Sequence, residues 1–217
     1  MKDTRKILFV SLLTALLIFS NIVAIKMTVV AKLPLPCSIF IYPFTFLCVA
    51  VISDLYGTQT AIKSVCFAVL AQVLLTIVGT IIVNLDNQVS TLVEANALQQ
   101  ILAPIEQNGI YMPNVKVLFA SILGFSVSQL VNIGIYTFVK NLTFRPIACA
   151  LSILIAIMID TIIYVPISTI GTADVNLTLT ILNKFVVGVI ITFISVVLFS
   201  IFTIGKKEPE KKVKAKA

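Results

Sequence analysis

The chain has 217 residues; 59% are hydrophobic, only 12% are charged, and the net charge is +7. A soluble domain carries about 25% charged residues, so an ordinary soluble globule is excluded and an apolar solvent, lipid, is expected. The positive excess does not point to nucleic acid. Much of it lies in Lys206 to Lys216, and the rest lies mostly in short gaps between apolar segments, where charge sets membrane topology.

In chain order, Lys2, Arg5 and Lys6 precede an apolar run that continues to about Ala31. That is longer than the apolar stretch of a signal peptide, so it is expected to be a first membrane helix rather than a cleaved leader. A span needs about 20 residues. Six segments meet that need: Ile7–Val30, Ser38–Ser53, Ala61–Asn84, Val115–Val139, Arg145–Thr169 and Thr178–Ile204. The second is short, and Pro43 is expected to interrupt it.

The expected fold class is an all-α integral membrane protein. It is a six-transmembrane-helix bundle with both termini cytoplasmic and one long external loop between helices 3 and 4. Residues 1–6 form a cytoplasmic N-terminus, 7–204 the membrane domain and 205–217 a basic, disordered cytoplasmic tail. The orientation follows from Lys2, Arg5, Lys6, Lys63, Lys140, Arg145 and the tail lysines on one side. The other side has Lys32 and Lys116 with Asp86, Glu94, Glu106 and Asp174. The long loop, Leu85 to Asn114, carries turn signals at Pro104, Asn108-Gly109 and Pro113, and Leu92 to Ile105 suits a short surface helix. Two three-helix halves meet there, with too little similarity to claim a repeat.

Polar groups inside spans are costly and tend to face a bundle interior or a wet cavity. Asp160 is the one acid well inside a span, about 13 Å from the end of helix 5. Lys26 and Lys184 lie about 6 Å and about 9 Å inside the ends of helices 1 and 6. With Asn21 they fall at depths where one cavity would gather them. The plainer reading is that the lysines snorkel and that Asp160 forms a structural ion pair with one of them. Helix 3 carries Gln72, Thr76, Gly79 and Thr80, and helix 4 carries Ser121, Ser128, Gln129, Asn132 and Tyr136. These serve either helix packing or, for Gln129 and Asn132, a polar face turned inward. Pro43 marks a broken helix of the kind that lines transport sites, or a plain kink. Asp54, Leu55, Tyr56 and Gly57 close the second span on the cytoplasmic side. An acid there opposes the helix dipole, so Lys63 or Arg145 is expected to hold Asp54. The four cysteines, Cys37, Cys48, Cys66 and Cys149, form no CxxC pair, and histidine is missing. No metal site, no cofactor and no histidine-based catalysis is expected, and no ATP-binding loop or hydrolase motif supports an enzyme.

Four blocks then carry a resemblance: Ser20-Asn21 through Lys26; Tyr42-Pro43-Phe44-Thr45-Phe46 through Asp54, Tyr56 and Gly57; Ser128-Gln129 through Asn132 and on to Lys140; and Ser152 through Asp160-Thr161 to Gly171, with Lys184 beyond. In their order and spacing they resemble the queuosine precursor transporter family, also called YhhQ-like or vitamin-uptake-transporter-like. The likeness covers roughly residues 7 to 204. Members commonly carry an Asp where this chain has Ala50, a Glu where it has Asp54 and an amide where it has Ile157; Arg145 is the nearest candidate for a displaced arginine. The resemblance implies a 7-deazaguanine cargo such as preQ0, preQ1 or queuine, imported for tRNA modification. Asp160 would accept the paired N–H groups of the base edge. Asn21, Gln129 or Asn132 would meet its other polar atoms, and Tyr42, Phe44 and Phe46 would offer a stacking face. Lys26 or Lys184 would keep Asp160 ionised, and Thr45 joins the same binding set. Pro43, Asp54, Tyr56 and Gly57 are assigned to a cytoplasmic gate or a structural role. Partners are the small heterocycle and the bilayer, with a homo-oligomer or an energy-coupling module left open. The alternatives are a substrate-binding subunit of an energy-coupling-factor importer, whose usual Ala-x-x-x-Ala docking pattern does not fit Ala15, Ala24 and Ala31, and a non-transporting assembly protein.

Overall fold

A computed structural model describes residues 2–24, 27–30, 33–83, 115–169 and 177–203. Six helices in it are long and apolar enough to cross a membrane. They are α1 (Lys2–Val23), α2 (Pro43–Tyr56, preceded by a 3-10 turn at Cys37–Phe40), α3 (Thr58–Val83), α4 (Val115–Val139), α5 (Arg145–Ser168) and α6 (Leu177–Thr203). The expected long loop between helices 3 and 4, its short surface helix and the tail lie outside the described residues, as do Lys32, Asp86, Glu94, Glu106 and Asp174.

The first span is shorter than expected. α1 stops at Val23, and the chain then forms a two-stranded antiparallel hairpin of β1 (Met27–Val30) and β2 (Leu33–Pro36), with Met27 opposite Pro36 and Val30 opposite Leu33. The reason is local. Thr28, Val29 and Val30 are β-branched, and Pro34 and Pro36 follow closely, a composition that suits extended backbone and resists helix. Apolarity alone extended the expected helix through residues whose shape favours a strand.

Pro43 lies within the second span, Cys37–Tyr56, where the 3-10 turn gives way to the α-helix. It occupies the first position of α2, where its missing N–H would have had no helical partner. The backbone enters through the 3-10 turn, with the Phe44 and Thr45 N–H groups donating to the carbonyls of Ile41 and Tyr42, each at 3.0 Å. The 3-10 turn and α2 together cover Cys37–Tyr56.

α2 is the central helix. It packs against all five others, and of Pro43 through Asp54 only Phe44 is not buried. A helix apolar on every side fits such a place. The outer helices leave large apolar side chains uncovered, among them Phe67 on α3, Phe138 on α4 and Phe193 on α6. An apolar exterior around a polar-seamed interior is what a bilayer selects. Cys48 and Cys149 are buried and unbridged, consistent with packing roles.

Two glycines set how closely the helices meet. A Cβ on Gly124 of α4 would lie 2.9 Å from Asp160 Oδ1, and one on Gly188 of α6 would lie 2.8 Å from Ile157 Cγ2. Both helices therefore press against α5 within one turn of Asp160, the use membrane bundles make of small residues.

Candidate functional site

α5 carries Asp160 into the bundle, where its side chain is 3% exposed. The carboxylate accepts from two neighbours. Tyr42, just before α2, donates its hydroxyl to Oδ1 at 2.7 Å, and Lys184 of α6 donates from Nζ to Oδ2 at 3.0 Å. The Lys184 ammonium also lies over the Tyr164 ring, 4.1 Å from its centre, and 5.9 Å from the centre of Tyr42. A buried carboxylate is thus compensated by one cation and one hydroxyl, and the cation is flanked by two aromatic faces.

These groups border a cavity that encloses about 580 Å³ of atom-free space, counting its open mouth. The opposite wall is α1 and α4: Ser121 donates to Asn21 Oδ1 at 2.8 Å, and Asn21 donates from Nδ2 to the Leu17 carbonyl at 3.1 Å. Ser38, Ile39, Pro43, Ile157 and Gly188 complete the lining. The cavity is mostly apolar, with polar groups converging from α1, α2, α4, α5 and α6, the general design of a ligand site.

Of the residues singled out from sequence, Asn21, Tyr42, Asp160 and Lys184 meet at this cavity. Lys26 lies outside the described residues. Thr45, Gln129 and Asn132 do not reach the cavity lining; they lie behind it, each fully buried. Gln129 donates to Thr45 Oγ1 at 3.2 Å, and Asn132 donates to the Phe46 carbonyl at 3.1 Å and to Gln129 Oε1 at 3.3 Å. The two amides tie α4 to α2 behind the cavity lining, the kind of contact that polar side chains make between membrane helices. Phe46 is fully buried with its ring edge-on to Tyr42 at 5.4 Å, and Phe44 packs on Ile39, Val187 and Ile191. The aromatic faces beside the carboxylate are those of Tyr42 and Tyr164. Sequence reasoning passed over Tyr164, although it lies one turn after Asp160 and so shares its helix face.

A second charged cluster lies at the other end of α5. Arg145 begins that helix, roughly 22 Å from Asp160 along its axis at about 1.5 Å per residue. Its guanidinium Nη1 is 3.7 Å from Asp54 Oδ2, with side chains 11% and 4% exposed. Of the two cations considered for Asp54, Arg145 is therefore its neighbour, while Lys63 is exposed to the surroundings. Tyr136 of α4 and Cys149 of α5 lie within electrostatic reach of Asp54, and Lys140 Nζ lies 5.5 Å from the centre of the Tyr136 ring. Gly57 ends α2 with φ of 92°, a conformation that glycine adopts without strain. Tyr56 precedes it, and its carbonyl accepts from Thr60 Oγ1 at 3.0 Å.

A bundle of six helices long and apolar enough to cross a membrane, around an ion-paired carboxylate and a lined cavity, defines a multi-pass membrane protein. A family model described as "Putative vitamin uptake transporter" matches residues 36–205. The chain belongs to that family, which is one of membrane transporters. The match begins in the last residue of β2 and runs past the end of α6, so it includes every lining residue but Ser20, Asn21 and Ala24. No curated protein and no solved structure gives a significant match.

Proposed function

We propose that this protein imports a queuosine precursor, a 7-deazaguanine such as preQ0, preQ1 or queuine, across the cell membrane for tRNA modification. The observation that carries the reading is Asp160. It is a buried carboxylate at the cavity, and each of its oxygens already accepts from one donor. A 7-deazaguanine presents an N1–H and an exocyclic amine along one edge, a donor pair that matches a carboxylate. The cargo edge would take over positions that Tyr42 and Lys184 fill in its absence. Tyr42 and Tyr164 offer ring faces to a flat heterocycle, and Asn21 and Ser121 offer polar atoms across the cavity.

The family's common amide is replaced here by Ile157, which lines the cavity and packs on Gly188. The cargo would meet an apolar wall at that point. Ala50, at the position of the family's common Asp, is buried in α2, so Asp160 carries the recognition without a second acid.

Both termini are cytoplasmic in this reading, and the cavity opens outward near the hairpin. Lys63, Lys140 and Arg145 lie at the same end of the bundle as Arg5 and Lys6, in keeping with positive charge on the cytoplasmic side. Residues 7–204 act as one transport domain, with 205–217 as a basic cytoplasmic tail. Asp54, Arg145, Tyr56 and Gly57 then sit at the inner mouth as a gate held shut by the Asp54–Arg145 pair.

The test uses cells that neither make nor import queuosine precursors. The protein is expressed in them, each precursor is supplied at low concentration, and queuosine in tRNA is measured. Restoration by at least one precursor is expected. Lack of restoration by all of them, with the protein present in the membrane, would remove this cargo.

A further inference from the structure

Two of the helix faces that border the cavity continue inward past it. On α6, Lys184 and Gly188 line the cavity. The same helical face runs on through Ile191 and Ser195 to Phe199, all three buried. On α4, Ser121 lines the cavity, and its face runs on through Phe125, Ser128 and Asn132 to Tyr136, again all buried. Each of these two helices packs on α2 and on α5. Across the interior their faces meet where the Tyr136 ring stands edge-on to that of Phe199, with centres 5.8 Å apart and planes at 65°. This contact lies about 22 Å along α6 from Lys184, at about 1.5 Å per residue, and Tyr136 is within electrostatic reach of Asp54. The two rings therefore stand between the cavity and the Asp54–Arg145 pair.

Polar atoms along this seam differ from those at the cavity. There the Tyr42 hydroxyl, the Lys184 ammonium and the Ser121 hydroxyl each have a partner. Further in, Ser195 Oγ and Asn132 Oδ1 have none, and neither has Ser53 Oγ on α2, which underlies both helices; all three residues are fully buried. Serines in helices can bond back to the carbonyl one turn earlier, as Ser64, Ser126 and Ser200 do here. Ser53 and Ser195 do not. Packing gives no reason for such atoms, whereas a surface that becomes wet in another conformation does. We propose that cargo leaves the cavity along the seam between α4 and α6, and that the Tyr136–Phe199 contact is a gate on that route. The proposal rests on the reading of the protein as a carrier and adds the way out. An apolar constriction of this kind excludes water and ions while closed. Phe199 has no polar atom to hold it, so its ring can turn aside without breaking a hydrogen bond. Tyr136 is linked electrostatically to Asp54, so parting of the Asp54–Arg145 pair and movement of the Tyr136 ring are coupled. In the open state the three orphan oxygens meet water or the cargo's N–H groups, and the hydrogen bonds gained there favour that state. They line the route without anchoring the cargo, so the loss of one, as in Asn132→Ala, leaves uptake intact.

Thiol accessibility in sealed membrane vesicles tests this. Chains carrying Ser195→Cys or Ile194→Cys are treated with sulfonatoethyl methanethiosulfonate, which does not cross the bilayer, on the side that bears the N-terminus. Ile194 adjoins Ser195 but is 52% exposed on the outside of the bundle. Peptide mass identifies the modified position, so the native cysteines are kept. Position 195 is expected to react at least about tenfold faster than position 194. Adding Phe199→Leu should raise the rate at 195 further, and the comparison of 195 with 194 stands even when that variant does not fold. Modification at 195 should stop precursor uptake while ligand-dependent thermal stabilisation is kept. Equal rates at the two positions, with uptake intact, overturn the seam and leave the cargo class standing. Fast reaction at 195 without any effect on uptake overturns the seam as the cargo route. An unchanged rate in a folded Phe199→Leu variant overturns the gate. Fast reaction at 195, raised by Phe199→Leu, in a chain that takes up no precursor supports the seam and gate and removes the deazaguanine. Equal rates and no uptake overturn both.

Discussion

The two ends of α5 carry the same ingredients in different settings. At one end Asp160 meets Lys184 at 3.0 Å beside an open cavity, with a tyrosine hydroxyl on its second oxygen. At the other, Asp54 meets Arg145 at 3.7 Å, and neither residue lines the cavity beside Asp160. A compact ammonium on a flexible stem can leave and return, whereas a guanidinium is suited to a fixed planar contact. The difference matches the proposed roles, in which the first pair gives way to cargo and the second closes a passage. α2 joins them, since Tyr42 precedes its first residue and Asp54 lies in its last turn.

The comparison breaks most visibly at the acids. Asp160→Ala leaves Lys184 without its carboxylate and removes the proposed cargo anchor. Uptake should fall about a hundredfold or more at equal membrane expression, as measured with labelled precursor in whole cells. Asp54→Asn should lower uptake about tenfold while ligand-dependent thermal stabilisation is kept, because the cavity is untouched. Equal loss of binding in both variants would show that the ends are not distinct.

Smaller effects sharpen the picture. Gly124→Ala places a methyl group 2.9 Å from Asp160 Oδ1. Overpacking of this kind costs about 1–3 kcal/mol, and weaker ligand binding should accompany it. Gly134→Ala on the same helix meets nothing within 4 Å and should change neither thermal stability nor binding appreciably. Asn132→Ala removes the contacts to Phe46 and Gln129. It should cost about 0.6–2 kcal/mol of stability, seen as a lower melting temperature, with uptake per folded molecule unchanged.

Much of the fold was legible because each span must satisfy its own backbone in lipid, which forces long apolar runs into helices. The hairpin at Met27–Pro36 was not, since hydropathy does not separate a β-branched strand from the end of a span. Asp160 and Lys184 were legible because a charge in a span has few acceptable places. Their meeting with Tyr42 was less so, because Tyr42 and Asp160 lie over a hundred positions apart. The place of Gln129 and Asn132 behind the cavity lining was not legible for a related reason. A polar face turned inward serves packing as readily as binding, and only the position of α2 against α4 separates the two roles.

The most direct measurement is precursor uptake into liposomes containing the purified chain alone, with unaltered protein and Asp160→Ala side by side. The account predicts saturable uptake by the unaltered chain and none above background by the variant. Full uptake by the variant would contradict the Asp160 site, and no uptake by the unaltered chain would contradict a carrier that works without a separate energy-coupling module.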